Sequence, residues 1–383
     1  MSITKKDIED VIGKLEEGDY RALFLCPDFE KPSGGVGLIY DHVRILNELG
    51  FNASVVHQKD GFVPEWLGDR AEGVPIIYTE KGDLNINMQD FFFIPEGMTN
   101  VMQQMQQQNV PAKKIVFCQN WYYILNALQP GQTWQSLGIG DCLSVSEFQT
   151  RYIQSIMPGM RCKNVVGSID PEVFYPPESD VEKKPIVSFY PSRDRGGMKS
   201  TNVIKTFYLL FPHFKWIQFR QMGGLETEDF AAALRESAFY VHFDEYSSWG
   251  TAPIEAWRSG CHVAGWDGLG GSEYMRPVNL SDSGGHKTGN MWIAPNGDIV
   301  KLALLIGNMI EQWITDNIDK QIVKNAKAAC ENYTPEAEKD SILRAHNEYR
   351  EDRIKELQGF ADKLPEIADT ENMEVVSNDA QGS

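Results

Sequence analysis

Short, wholly apolar runs alternate with amphipathic stretches along most of this chain, and the alternation predicts its elements. In the first half "RALFLCPDF" (21–29), "NASVVH" (52–57), "VPIIYT" (74–79), "DFFFIP" (90–95) and "KIVFCQ" (114–119) read as strands. Between them "LIYDHVRILNELG" places Ile39, Val43, Ile45 and Leu46 at helical spacing and stops at Gly50. A polar helix, "MTNVMQQMQQQNV", precedes the last of these strands, and "CLSVSEFQTRYIQSIMP" reads as strand, Ser turn and helix. Continuous apolar runs favour strands buried on both faces, as in a parallel sheet sandwiched by helices.

The pattern breaks at "KNVVGSIDPEVFYPPESDVEKKP" (163–185), which is rich in Pro and charge and has no periodicity. It then resumes with "IVSFYP", "TNVIKTFYLLF", "FKWIQF", "TEDFAAALRES", "AFYVHF" and "CHVAGW", and closes in late helices. The expected organisation is a first α/β domain over 1–178, a second over 179–358 and an acidic, disordered tail over 359–383. A length of 383 residues agrees with two domains of roughly 100–200 residues each.

Charge narrows the partners. Lys and Arg number 36 against 54 Asp and Glu, a net of −18. That weighs against nucleic acid as a partner, because a non-specific grip needs basic surface to release counterions. The six cysteines show no C-x-x-C spacing, so they read as buried hydrophobes in a reducing compartment and not as zinc ligands. The first twenty residues are polar and helix-like, without the apolar core of a secretion signal. No apolar run reaches the roughly 20 residues a membrane span needs. A soluble, cytoplasmic protein with no transmembrane segment is expected.

Three stretches carry candidate chemistry. "PSGGVG" (32–37) lies between a strand and a helix, where backbone N–H groups suit an anion and glycines allow close approach. It suits a structural turn as well, and it is not G-x-G-x-x-G. "SRDRGGMK" (192–199) follows the first strand of the second half and sets Arg193, Arg195 and Lys199 at the carboxyl end of a strand. It reads as a diphosphate clamp or as a solvated loop. "DEYSSWGTAPIEAW" (244–257) follows the strand "AFYVHF". Gly250 and Thr251 there present N–H groups at a helix start, with Thr251 as its expected N-cap, and Glu255 is placed to accept from a vicinal diol.

Taken in order, "GGVG", "VSEFQTRYIQ", "SIDPEVFYP", "SRDRGGMK" and "SSWGTAPIEAWRSGCHVAG…GGSE" resemble the group 1 family of retaining glycosyltransferases. The resemblance runs from about residue 22 to 349. "IDPEVFYP" is similar to the family's "VDxxxFxP", and "GTAPIEAWRSGCHVAG" to its "GxxxxEAxAxGxPVxx". It implies a GT-B fold, two Rossmann-like domains facing a central cleft, with the last helix packing back on the first domain. It further implies that Gly34 and Gly35 approach the donor, Arg193 and Lys199 hold its diphosphate, Gly250 and Thr251 offer N–H groups, and Glu255 binds the ribose. The family's E-x(7)-E motif has Ser247 where its first Glu belongs. Either a bulge after Asp244 brings Glu245, two positions earlier, to the sugar, which is the expected arrangement, or Ser247 and Ser248 do another job in the donor site. Glu273 reads as a further donor-site acid or as a plain turn acid.

On the acceptor side Gln119, Asn120 and Trp121 border the expected cleft, though a core Trp with a satisfied Asn fits the pattern too. His57, at a strand end, reads as structural, and His42, on the helix after the glycine loop, is placed to face either way. The expected activity is transfer of a hexosyl or related unit from a nucleotide-sugar such as a UDP- or GDP-sugar to a glycan, small-molecule or other hydroxyl acceptor. Retention of configuration is expected, with no metal and no cofactor. A GT-B epimerase or phosphorylase, or a non-catalytic sugar-nucleotide binder, are the other readings.

Overall fold

The structure, a computed structural model, describes residues 4–82, 84–192, 194–278 and 288–364. Its first half runs α1 (Lys5–Glu17), β1 (Arg21–Leu25), α2 (Gly34–Glu48), β2 (Asn52–His57), β3 (Ile76–Tyr78) and β4 (Phe91–Pro95). It continues α3 (Thr99–Gln107), β5 (Lys113–Cys118), α4 (Trp121–Ala127), β6 (Asp141–Ser144), α5 (Glu147–Ile156) and β7 (Arg161–Asn164). The second half runs β8 (Lys184–Phe189), α6 (Met198–Leu210), β9 (Gln218–Gln221), α7 (Thr227–Glu236), β10 (Ser237–His242) and α8 (Ala252–Arg258). It ends β11 (His262–Trp266), β12 (Trp292–Ala294), α9 (Ile299–Ile314), α10 (Lys320–Cys330) and α11 (Pro335–Ala361).

Two sheets result, ordered β3-β2-β1-β4-β5-β6-β7 and β12-β11-β10-β8-β9. All their strand pairs are parallel. Each sheet is buried on both faces, which is why its central strands read as unbroken apolar runs. Phe24 and Phe93 point into one core of the first sheet, while their neighbours Leu23 and Phe92 point into the other. In the second sheet Phe239 and Tyr240 divide in the same way. Chain order reverses between β1 and β4 and again between β8 and β10. The crevice outside the carboxyl ends of strands at such a reversal is where open α/β sheets bind ligands.

The cores also account for the isolated histidines. His57 is fully buried, with Nε2 on the Tyr40 hydroxyl at 2.9 Å and Nδ1 on Asp28 at 2.7 Å. His42 of α2 meets His346 of α11 at 3.0 Å. α11 thus returns from the second half to the first sheet. It stays helical through Ala361, and Leu357 and Ala361 bury against the first core. Residues 359–361, expected from sequence to belong to an acidic tail, are the end of this helix, with Ala361 buried against the first core. Residues 365–383 lie outside the described ones.

Candidate active site

At the carboxyl ends of β8 and β10 a cavity of about 290 Å³ opens. Tyr190 and Pro191 extend one strand into it and His242, Phe243 and Asp244 the other. Gly250 and Thr251 of the loop before α8, Ala252 and Glu255 of α8, and Phe174, Leu225, Thr227 and Phe230 line it as well. Its lining is mixed, with Phe174, Tyr190, Phe230 and Tyr240 as aromatic members and His242, Asp244, Thr251 and Glu255 as polar ones.

The loop between β10 and α8 is shaped by its own side chains. Asp244 accepts from the Tyr246 and Ser247 backbone N–H groups at 2.8 and 3.2 Å and from the Ser247 hydroxyl. This Asx-type turn is what a short acid at a strand end favours. Gly250 follows at φ +77, a left-handed conformation that needs no Cβ, and its carbonyl accepts the Tyr274 hydroxyl. Thr251, expected as the N-cap, is helical in conformation and makes no cap bond. Its side chain is hydrogen-bonded to Glu255 instead. Burial pushes the Glu255 carboxyl up to about 7, with the Thr251 bond pulling the other way.

Lys199 stands at the start of α6, behind a turn in which Gly196 and Gly197 both take positive φ, +65 and +67. The Lys199 N–H donates to Asp194 at 3.0 Å, and Asp194 also accepts from Ser192. The Lys199 ammonium forms an ion pair with Glu245 and lies 5.8 Å over the Trp266 ring. The hydrogen bond to Glu245 holds the ammonium above its ordinary pKa, against partial burial. Glu245 and Lys199, each assigned separately by sequence, are thus one unit. Arg193 lies outside the described residues.

The remaining candidates sit at the junction with the first sheet. Gly34 and Gly35 open α2, and Gly35 carbonyl accepts the Gln119 side-chain amide at 3.1 Å. Asn120 caps α4 by accepting the Tyr122 N–H at 2.9 Å. Trp121 is buried, with its ring edge-on to Tyr152 at 5.4 Å. Glu273 is outside the lining of the cavity. Its carboxylate accepts the Glu147 N–H at 2.7 Å and the Tyr333 hydroxyl at 3.0 Å, joining the two halves.

Sequence reasoning missed Glu96, at the end of β4. It is 3% exposed and accepts the N–H groups of Gln119 and Asn120 at 3.2 and 2.8 Å. Burial pushes its carboxyl up to about 7, while the two N–H donors pull it down. An acid directly after the apolar run "FFFIP" was the available signal. Among the described residues no group of three or more His, Cys, Asp or Glu is placed to hold a metal ion. No described helix is long and apolar enough to cross a membrane.

The architecture is the GT-B fold of glycosyltransferases. TarM superposes with a TM-score of 0.61 at 10% identity, covering 86% of this chain and 98% of TarM. Anabaena HepE in complex with UDP-glucose gives 0.57 at 14% identity, covering 86% and 99%. A glycosyltransferase of Rickettsia africae gives 0.55 at 15%, covering 88% and 99%. In sequence the chain is 26% identical over 291 residues to an alpha-1,6-glucosyltransferase of Actinobacillus pleuropneumoniae serotype 7, covering 76% of this chain and 83% of that one. No family model matches. Sequence and structural similarity converge on the class that the motifs resemble.

Proposed function

We propose that this protein is a glycosyltransferase that moves a hexosyl unit from a UDP-sugar to a hydroxyl acceptor with retention of configuration. UDP-glucose is the donor of choice, since HepE was crystallised with it and the sequence relative is a glucosyltransferase. The observation that carries the reading is the placement of Glu255, Gly250 and Thr251 around one cavity at the switch point of the second sheet, with Lys199 beyond it. Glu255 would accept from the ribose hydroxyls, and the aromatic lining residues would hold the base. Lys199, joined by Arg193, would neutralise the diphosphate as the bond from the anomeric carbon to the phosphate oxygen breaks. The acceptor oxygen bonds to the same face of that carbon, and its proton passes to the leaving phosphate. Two side-chain cations supply the charge a metal would otherwise bring, so neither a metal nor a separate cofactor enters this reading.

Calorimetry with UDP tests the site. Glu255→Ala and Lys199→Ala should each weaken binding by about 1–3 kcal/mol, the range for a hydrogen bond to a charged group. Wild-type affinity in both variants would overturn the assignment. One observation favours the non-catalytic binder: the motif carboxylate is Ser247, and Glu245 is engaged by Lys199. UDP-glucose consumption decides between the two. A binder would hold the donor and neither hydrolyse it nor transfer it to any of a panel of sugar and alcohol acceptors.

A further inference from the structure

Ser247 and Ser248 occupy the motif stretch that departs from the family pattern, and the two have different work. Ser247 closes the Asp244 turn. Ser248 is 5% exposed and turns the other way, into the first half of the molecule. Its hydroxyl accepts the Trp121 N–H at 3.0 Å and the Gln149 side-chain amide at 3.2 Å. Its carbonyl accepts the Ser146 hydroxyl at 2.6 Å. All three donors belong to the starts of α4 and α5. They are fixed in turn: Glu96 holds the N–H groups just before Trp121, and the Ser146 hydroxyl also accepts the Gln149 N–H at 3.2 Å, capping α5.

We propose that Ser248 is a positioning residue, a buried joint that sets the register between the acceptor-side turn 119–121 and the donor loop 244–251. The inference rests on the glycosyltransferase reading. The donor cavity is lined by the second half and by Phe174 of the connection, so donor binding alone does not need this joint. Transfer does, because an acceptor hydroxyl must meet the anomeric carbon across it, and small misplacements of reacting groups cost large factors in rate. A serine suits the post. One small oxygen serves two N–H donors from different helices, and alanine would strand both of them in a buried seam.

The test uses the full chain, with UDP-glucose as donor and methyl α-glucoside as acceptor probe. Ser248→Ala should leave the UDP dissociation constant within about twofold and lower kcat/KM for the acceptor by about tenfold or more, as loss of a buried hydrogen-bond partner implies. X-ray scattering of the UDP complex should show a more open particle than wild type. Gln149→Ala should give a smaller loss by itself and almost none on top of Ser248→Ala, because the two act through one contact. If Ser248→Ala does not fold, Gln149→Ala and Ser146→Ala carry the same comparison. Unchanged acceptor kinetics with unchanged scattering would overturn the proposal. So would an equal loss of UDP affinity, which would make Ser248 a support of the cavity. If wild type transfers nothing from UDP-glucose, the functional reading falls by itself, and the scattering comparison still decides the joint.

Discussion

Glu255 shows how one side chain was readable and yet incomplete in sequence. Its place after a strand, a glycine turn and a proline marked it as an acid turned toward a strand end. Its protonation came only from packing. The carboxyl titrates at about 7 in the folded protein against an ordinary 4.5. The native state therefore keeps a proton that the unfolded chain gives up, and this contribution to stability is complete below about pH 4.5 and lost as pH rises through about 7. Glu255→Gln, uncharged at every pH, should gain on wild type by about 1–3 kcal/mol between pH 5 and pH 8, at 1.36 kcal/mol per pKa unit. Urea denaturation of both proteins at the two pH values measures it, and parallel pH profiles would remove the buried carboxyl from the account. Glu273 and Ser248 were not legible in this way. Their partners, Glu147 and Trp121, are 126 and 127 positions away, and no local pattern announces a contact at that distance.

At the scale of elements, one strand that sequence missed is a strand whose side chains serve something other than a sheet core. β7, "RCKN", has no apolar run. Its Arg161 bridges Asp141 and Glu356 at 2.5 and 2.7 Å, and its Lys163 bridges Glu348 and Asp352 at 3.0 and 2.9 Å. Three of those acids lie on α11, so an edge strand was hidden because it is the docking strip for a helix nearly 200 residues later. β12, "WIA", was also missed, although its Trp292 and Ala294 bury in the second core. The ionic seam includes Lys113, whose ammonium is 2.7 Å from both Asp141 and Glu356. Lys113 and Asp141 side chains are 9% and 2% exposed, so removing the cation leaves a buried carboxylate with one partner fewer. Lys113→Met should destabilise the protein by about 1–3 kcal/mol, the cost of stranding a buried charged partner. Glu356→Gln should cost less, because that side chain is 30% exposed and reachable by water. Equilibrium denaturation ranks the two, and the reverse order would contradict the burial argument.

At the scale of the whole molecule, the two α/β halves were plain from the apolar runs, because strands buried on both faces leave no alternation to misread. The relation between the halves was not, since it depends on a few loops that touch across the connection. Trp249 is the clearest of these. Its ring packs against Gly167 so closely that a Cβ there would lie 2.5 Å from the nearest ring atom. The same ring lies 5.3 Å from that of Tyr333, and the next residue is Gly250 of the cavity. Gly167 is thus reserved for the tryptophan, and the connection between the halves is gauged by one ring. Gly167→Ala should force the two apart and destabilise the protein by about 1–3 kcal/mol, the usual cost of overpacking. The atoms it would strike are Cζ3, Cη2 and Cε3 on the outer edge of the indole, and the smaller phenyl ring of a phenylalanine at 249 reaches less far. In a Gly167→Ala/Trp249→Phe double variant the added methyl has room, so its cost should shrink to a few tenths of a kcal/mol, a departure from additivity that marks direct contact. Thermal and urea denaturation of the wild type, both single variants and the double variant close the cycle. An additive result would mean that Gly167 is held for its backbone and not for the ring against it.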